Sequence, residues 1–196
     1  MNYDTELNND EKLIEKKISS KVVFDGKIIK VAFDEILLPN NKKATREKVC
    51  HPGAVAVVPI NEKNEVILIR QYRYPIEEIL IEIPAGKLDK NELPEKCAKR
   101  ELHEEVGATG GRLIHLSSFL TTPGFSNELL HLFMAVDFRN TKNNPDEDEF
   151  LQIIKAPLSK CISWIYDGTI KDAKSIIGIL MAKDYIGKAS DKNIAN

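Results

Sequence analysis

No stretch of this chain approaches the roughly 20 consecutive apolar residues that a membrane-crossing helix needs. Its first 21 residues are polar and rich in Asn, Glu and Lys, without the apolar segment of a secretory signal. Cysteine is scarce: Cys50, Cys97 and Cys161 are odd in number and far apart, in neither a disulfide framework nor a zinc spacing. A reduced, cytoplasmic protein is the simplest expectation. An excess of one charge is missing too. The 28 Lys and Arg nearly balance the 30 Asp and Glu, for a formal net charge of -2. That balance gives no electrostatic reason to expect nucleic acid or an anionic membrane as partner. Internal repeats and low-complexity tracts are absent. What is present, 196 residues with 42% hydrophobic and 30% charged, is enough for one sizeable core with a small appended element.

Residues 1–16 are expected to form a loosely ordered leader or a short helical turn. Residues 18–24 and 28–38 are rich in Val, Ile and Phe and flank Asp25-Gly26, a strong hairpin signal. Pro39-Asn40-Asn41 turns the chain again, and residues 44–50 read as a third strand. Residues 1–50 thus comprise the leader and a small antiparallel β subdomain. Such a subdomain is marginal alone and needs a surface to pack on, within the chain or across a dimer. Residues 51–196 form the main domain. In it, residues 53–60 are continuously apolar, as in a strand covered on both faces. Residues 66–72, 79–83, 113–120, 129–138 and 151–156 read as further strands, with Tyr72 and Tyr74 as core or interface residues. Residues 140–149 are a polar, acidic loop. Residues 159–186 give two helices around Asp167-Gly168, and the tail after Gly187 is expected to fray. Intermingled elements of this kind build a mixed sheet with helices on both faces.

The chemistry concentrates in residues 86–108, whose second half is helical. Pro94 suits a first helical position, no Gly or Pro interrupts residues 95–106, and Gly107 can end the helix in a left-handed cap. Ala98, Leu102 and Val106 make its apolar stripe. Glu101 and Glu105 stand four residues apart, with Glu104 beside them, so their carboxylates are neighbours. For stability alone this is a poor arrangement. Like charges at that spacing cost about 0.2–0.5 kcal/mol per pair, and the helix C-terminus disfavours each anion by about 0.3–1 kcal/mol. Arg100 can pair with Glu104, which leaves Glu101 and Glu105 facing one another. Two readings stay open: a solvated acidic face, or oxygen ligands for a hard divalent cation.

The wider pattern resembles the Nudix box. Gly86, Glu92, Arg100, Glu101, Leu102, Glu104, Glu105, Gly107 and Ala108 meet its nine specified positions across 23 residues. This resemblance implies an α/β (α+β) fold, the Nudix α/β/α sandwich with a mixed sheet, beside the small N-terminal subdomain. It also implies hydrolysis of a nucleoside diphosphate linked to another moiety, with Mg2+ (Mn2+ as an alternative) as cofactor. Glu101 and Glu105 are then the principal metal ligands, Glu104 lies close to the same cluster, and the Ala85 carbonyl is a further ligand. Glu92 and Arg100 are expected to lock the loop onto the helix. His51, His103, His115 and His131 show no metal-ligand spacing.

The flanks narrow the resemblance. In Leu120-Thr121-Thr122-Pro123-Gly124-Phe125-Ser126-Asn127-Glu128, Pro123 lies 16 residues beyond Gly107, a spacing similar to the marker of ADP-ribose pyrophosphatases. Arg46-Glu47, His51-Pro52-Gly53, Gln71-Tyr72-Arg73-Tyr74-Pro75 and Glu82-Ile83-Pro84-Ala85-Gly86 resemble the same subgroup. What this implies is conversion of ADP-ribose and water into AMP and ribose 5-phosphate. Arg46 and Arg73 would contact phosphate or ribose, Glu128 would hydrogen-bond the substrate, and Thr122 would line the pocket. Members of the subgroup place a mobile-loop glutamate over the metals as general base or added ligand. Glu149, just before Phe150, matches that placement, with Glu147 as the alternate. Some members stack adenine on a tryptophan from a partner's N-terminal subdomain. Here the only tryptophan is Trp164, so Phe24, Ile28 or Phe33 would supply an apolar wall. The same resemblance implies a homodimer through that subdomain. Two rival expectations are a pyrophosphatase for another nucleoside diphosphate sugar and a non-catalytic ADP-ribose-binding regulator. Against the regulator stand the intact glutamate cluster and the absence of a basic recognition helix in the 89 residues after Gly107.

Overall fold

The computed structural model describes residues 10–145 and 149–194. The chain divides into two compact units, Met1–His51 with Leu120–Glu128, and Pro52–Phe119 with Leu129–Asn196. In the first, β1 (Lys16–Asp25), β2 (Lys30–Leu37) and β3 (Lys43–Cys50) form an antiparallel sheet in that order. Asp25-Gly26 does turn the first hairpin, placing Asp25 opposite Lys30 with an ion pair of 2.9 Å. A segment distant in sequence joins this unit. The Val49 N–H donates to the Phe125 carbonyl at 2.7 Å, and the His51 N–H donates to Asn127 Oδ1 at 2.9 Å. Only the inward face of β2 is buried, at Ala32, Asp34 and Ile36, while every residue of β1 is exposed.

In the second unit, β4 (Ala54–Pro59), β7 (Ala85–Lys87), β9 (Arg112–Leu120) and β10 (Leu129–Val136) form a sheet in the order β7-β4-β10-β9, with β4 and β10 parallel and β7 antiparallel to β4. β5 (Glu65–Arg73), β6 (Glu78–Glu82) and β12 (Leu151–Pro157) form an antiparallel sheet in the order β12-β5-β6. β8 (Ala108–Thr109) and β11 (Arg139–Asn140) make a short ladder. The helices are α1 (Pro94–Val106), α2 (Leu158–Tyr166) and α3 (Ala173–Ile194).

β4 explains the layering. Its residues alternate between two cores, as a strand must when both faces are covered. Val55 and Val57 join Cys97, Ala98, Leu102 and Val106 of α1. Ala54, Ala56 and Val58 join Leu68, Leu132 and, from α3, Ile179 and Ala182. Each fully buried Val, Leu or Ile contributes about 1.5–3 kcal/mol. The result is the expected α/β/α sandwich, with α1 on one face and α2 and α3 on the other.

Two expectations need correcting. Tyr72 and Tyr74 are exposed, at 53% and 80%, and so are not core residues, the first half of what was expected of them, because β5 has run past its buried half by Tyr72 and Tyr74 begins a short 3-10 turn. The last helix also continues through Gly187 to Ile194; a glycine inside a helix costs only about 1 kcal/mol, too little to end it there.

Candidate active site

The site grows from the turn between β6 and β7 and from the face of α1 that meets it. Pro94 opens α1 and Gly107 closes it at φ 66°, its N–H bonding to the His103 carbonyl at 3.0 Å. The apolar stripe faces the core, which brings Glu101 and Glu105 to its margin, 7% and 2% exposed. Gly86 allows a close approach there: a Cβ on it would lie 1.8 Å from Glu101 Oε1 and would push that carboxylate aside. One residue earlier, the Ala85 N–H donates to Glu105 Oε2 at 2.9 Å.

Arg100 does more than pair with Glu104. Its Nη1 donates to Glu101 Oε1 at 2.7 Å and to Glu104 Oε2 at 3.0 Å. Its other edge grips Glu92, with Nε to Oε1 at 3.1 Å and Nη2 to Oε2 at 2.9 Å. That fork holds the Glu92 carboxyl down at about 2 and ties the loop to the helix, as expected. Burial pushes Glu101 up to about 6, aided by the negative charges of Glu104 and Glu149 against the pull of Arg100. Burial pushes Glu105 further, to about 8, with the charges of Glu101 and Glu149 adding to it. Among the described residues no Lys or Arg forms an ion pair with Glu105; the Ala85 N–H and the field of Arg73 oppose its rise.

The carboxylate of Glu149 thus acts on both Glu101 and Glu105. The segment leading to it begins on the end of α1, where Thr141 donates through its N–H and hydroxyl to the Gly107 carbonyl, at 2.6 and 2.8 Å. Asn143 Nδ2 and the Asn144 N–H reach the carbonyls of Glu105 and Glu104 at 3.3 and 3.0 Å. These bonds satisfy carbonyls that a helix end leaves open. Residues 140–145 are therefore fastened to the helix, which a polar sequence did not reveal. Glu147 lies outside the described residues.

Arg73 stands at the end of β5 and grips Glu82, with Nε to Oε1 at 2.7 Å and Nη2 to Oε2 at 2.8 Å. Glu82, 1% exposed, appears in the sequence only as the start of Glu82-Ile83-Pro84-Ala85-Gly86, with no role given; its own signal is a lone acid in the apolar run of residues 79–83. The remaining candidates, Arg46, Thr122 and Glu128, belong to the first unit. Arg46 pairs with Glu15 on a surface depression that also includes Asp34, Lys48 and the turn at residues 123–127. The Thr122 carbonyl accepts from the Ser126 N–H at 3.0 Å. Glu128 accepts from the Thr121 hydroxyl at 2.5 Å and lies 3.4 Å from His51 Nδ1.

A family model for the NUDIX domain matches residues 51–164, more than half of the chain. The chain belongs to the Nudix hydrolase family. The ADP-ribose pyrophosphatase of Bacillus subtilis (strain 168) is 40% identical over 169 residues, covering 85% of this chain and 91% of its own. The methanol dehydrogenase activator of Bacillus methanolicus is 41% identical over 167 residues, covering 84% and 90%. A crystal structure of an ADP compounds hydrolase superposes with a TM-score of 0.81 at 22% identity, over 89% of this chain and 95% of that one, a likeness of fold.

Nudix hydrolases depend on a divalent cation, and the residues here fit one. The oxygens on hand are hard: the carboxylates of Glu101 and Glu105, both buried and at helical spacing. A cation would also relieve the repulsion that raises Glu101 and Glu105. Among the described residues no three His, Cys, Asp or Glu side chains already converge around a vacant centre, since Glu101 is turned to Arg100.

Proposed function

We propose that this chain hydrolyses the diphosphate of ADP-ribose to AMP and ribose 5-phosphate, with Mg2+, or Mn2+ in its place. The observation that carries the hydrolytic reading is Glu105, a carboxylate 2% exposed beside Glu101 and ion-paired with no Lys or Arg among the described residues. The likeness to the Bacillus subtilis pyrophosphatase over most of both chains supports ADP-ribose as the substrate.

Glu101, Glu105 and the Ala85 carbonyl would hold the cation, with Glu104 at the edge of the cluster and Glu149 as an added ligand. When bound, it neutralises diphosphate oxygens and lowers the pKa of the attacking water. Arg73 contributes N–H donors beyond the two that Glu82 engages, in a planar fork that matches phosphate. Glu149 accepts a proton from the water; its electrostatic reach to Glu101 and Glu105 supports this role. Arg46 contacts phosphate or ribose, Glu128 hydrogen-bonds the substrate and Thr122 lines the pocket. Residues 1–50 act in dimerisation and as a substrate wall, and residues 51–196 form the hydrolase domain. The exposed Ile18, Val22, Val23 and Phe24 of β1 support a homodimer, and the exposed Phe24, Ile28 and Phe33 support an apolar wall for adenine. The three free cysteines agree with a cytoplasmic location.

The test is phosphate release from a panel of nucleoside diphosphate compounds, with Mg2+ and with chelator, using a phosphatase to reveal the products. Metal-dependent cleavage that favours ADP-ribose is expected. Better cleavage of another nucleotide sugar would discard the substrate and keep the chemistry. Binding of ADP-ribose without any cleavage would discard the enzyme reading.

A further inference from the structure

Glu82 is a buried carboxylate with two cations on it. Arg73 forks onto both oxygens, and Lys174 Nζ, from the first turn of α3, bonds Oε2 as well. Lys174 is itself seated by Asp172 Oδ2 at 3.0 Å. Asp172 caps α3, accepting from the Ser175 N–H at 2.9 Å and from its hydroxyl. The Ser175 hydroxyl oxygen accepts the Ile83 N–H at 2.9 Å, and Ser175 is fully buried. Consecutive residues of the site's turn, Glu82 and Ile83, are therefore held by consecutive residues of α3, Lys174 and Ser175. Neither Lys174 nor Ser175 belongs to the box or its flanks.

The charges balance: Arg73 and Lys174 against Glu82 and Asp172. Without Lys174, one guanidinium faces two carboxylates, one of them buried. A buried carboxylate that loses a partner leans harder on the one that remains, so Arg73, already forked onto both oxygens, would be left to neutralise Glu82 alone. With Lys174 present, the negative charge of Glu82 is shared, and Arg73 keeps both positive potential and a fixed direction.

We propose that Lys174 is a positioning residue that shares the buried Glu82 with Arg73 and so leaves the Arg73 guanidinium with positive potential and a fixed aim for the substrate's diphosphate. This rests on the proposed role of Arg73 as a phosphate contact. The role is in binding rather than in the chemical step, which separates it from a purely structural one. A structural defect lowers the active fraction, and so kcat, without moving KM; a misdirected phosphate contact raises KM.

The experiment compares wild type with Lys174→Met, Lys174→Gln and Lys174→Arg. It reads kcat and KM for ADP-ribose, and ADP-ribose binding by calorimetry in the presence of chelator. Ser175→Ala, which breaks the neighbouring tether without removing a charge, calibrates what loosening the turn does by itself. The Met and Gln variants are expected to raise KM about ten-fold, to weaken metal-free binding by a similar factor and to leave kcat within about two-fold. Lys174→Arg should restore most of the loss. Ser175→Ala should lower Tm with KM within about two-fold of wild type. A KM unchanged in both neutral variants, a loss confined to kcat, or a Lys174→Arg variant no better than Met overturns the proposal. If wild type cleaves another nucleotide sugar instead, the substrate reading fails and the same KM comparison is made on that compound. If wild type binds no nucleoside diphosphate at all, both readings fall together.

Discussion

β1 and β4 both carry valines in extended backbone and meet opposite fates. β4 (Ala-Val-Ala-Val-Val-Pro) is buried at every residue. β1 holds Ile18, Val22, Val23 and Phe24, and is exposed at every residue. Composition is part of the difference, since β1 carries three Lys and an Asp and β4 no charge, and neighbours are the rest. β4 has a strand on each side and a helical layer on each face, whereas β1 is an edge strand with one partner, β2. An exposed apolar edge strand is a liability unless something covers it, and the proposed homodimer supplies that cover. The second unit completes its own core, and its buried acids can serve chemistry.

The largest expected effect tests whether those buried acids are catalytic. Glu105→Gln should lower kcat on the order of 1,000-fold, about 4 kcal/mol of barrier, with the circular dichroism spectrum unchanged and Tm no lower, since a repulsion is removed. Near-normal turnover would sink the metal assignment. Leu102→Ala, at a site 3% exposed in the core under α1, should cost about 2–5 kcal/mol in chemical denaturation. The same truncation at Val23 of β1 should change the stability of the isolated chain by less than about 0.5 kcal/mol. Equal losses at the two positions would erase the distinction between the strands.

Glu149→Gln should reduce kcat about 100-fold while KM moves far less. If it does not, the base lies elsewhere and Glu147 is the next variant. A pH series sharpens the comparison further. Glu101 and Glu105 are held above their ordinary value of 4.5, at about 6 and about 8. In metal-free protein their contribution is full below about pH 4.5 and is lost as pH rises through those two values. A cation takes the ionised forms, so its benefit runs the other way. Saturating Mg2+ should raise Tm by about 5 °C or more near pH 8.5 and by less than about 1 °C near pH 5.5. An equal shift at both would place the ion elsewhere. The smallest change in fold stability belongs to β1: Val22→Asp should convert the dimer to monomer by light scattering, with the fold intact. A wild type already monomeric would end that reading.

Much of this was legible because it is local. Helix α1 follows from Pro94, Gly107 and an uninterrupted run between them, the first hairpin from Asp25-Gly26, and the burial of β4 from its unbroken apolar run. The carboxylate cluster was legible for the same reason, since residues four apart on a helix are neighbours whatever surrounds them. What pairs with what across the fold was not legible. Arg100 was expected to pair with Glu104 and to lock the loop through Glu92; it does both and also takes Glu101. Glu82 looked like one acid in an apolar strand, yet it joins β5 to the first turn of α3. Thr141, Asn143 and Asn144 read as loop and prove to fasten that loop to the end of α1.

By itself the sequence determined the elements, the acid pair and its family resemblance, because helix periodicity and turn chemistry act over a few residues. Only the tertiary structure decided how deeply each carboxylate is buried, and which cation is left to answer it. Desolvation and ion pairing depend on residues far apart in the chain, and Lys174 lies 92 residues from the Glu82 it holds.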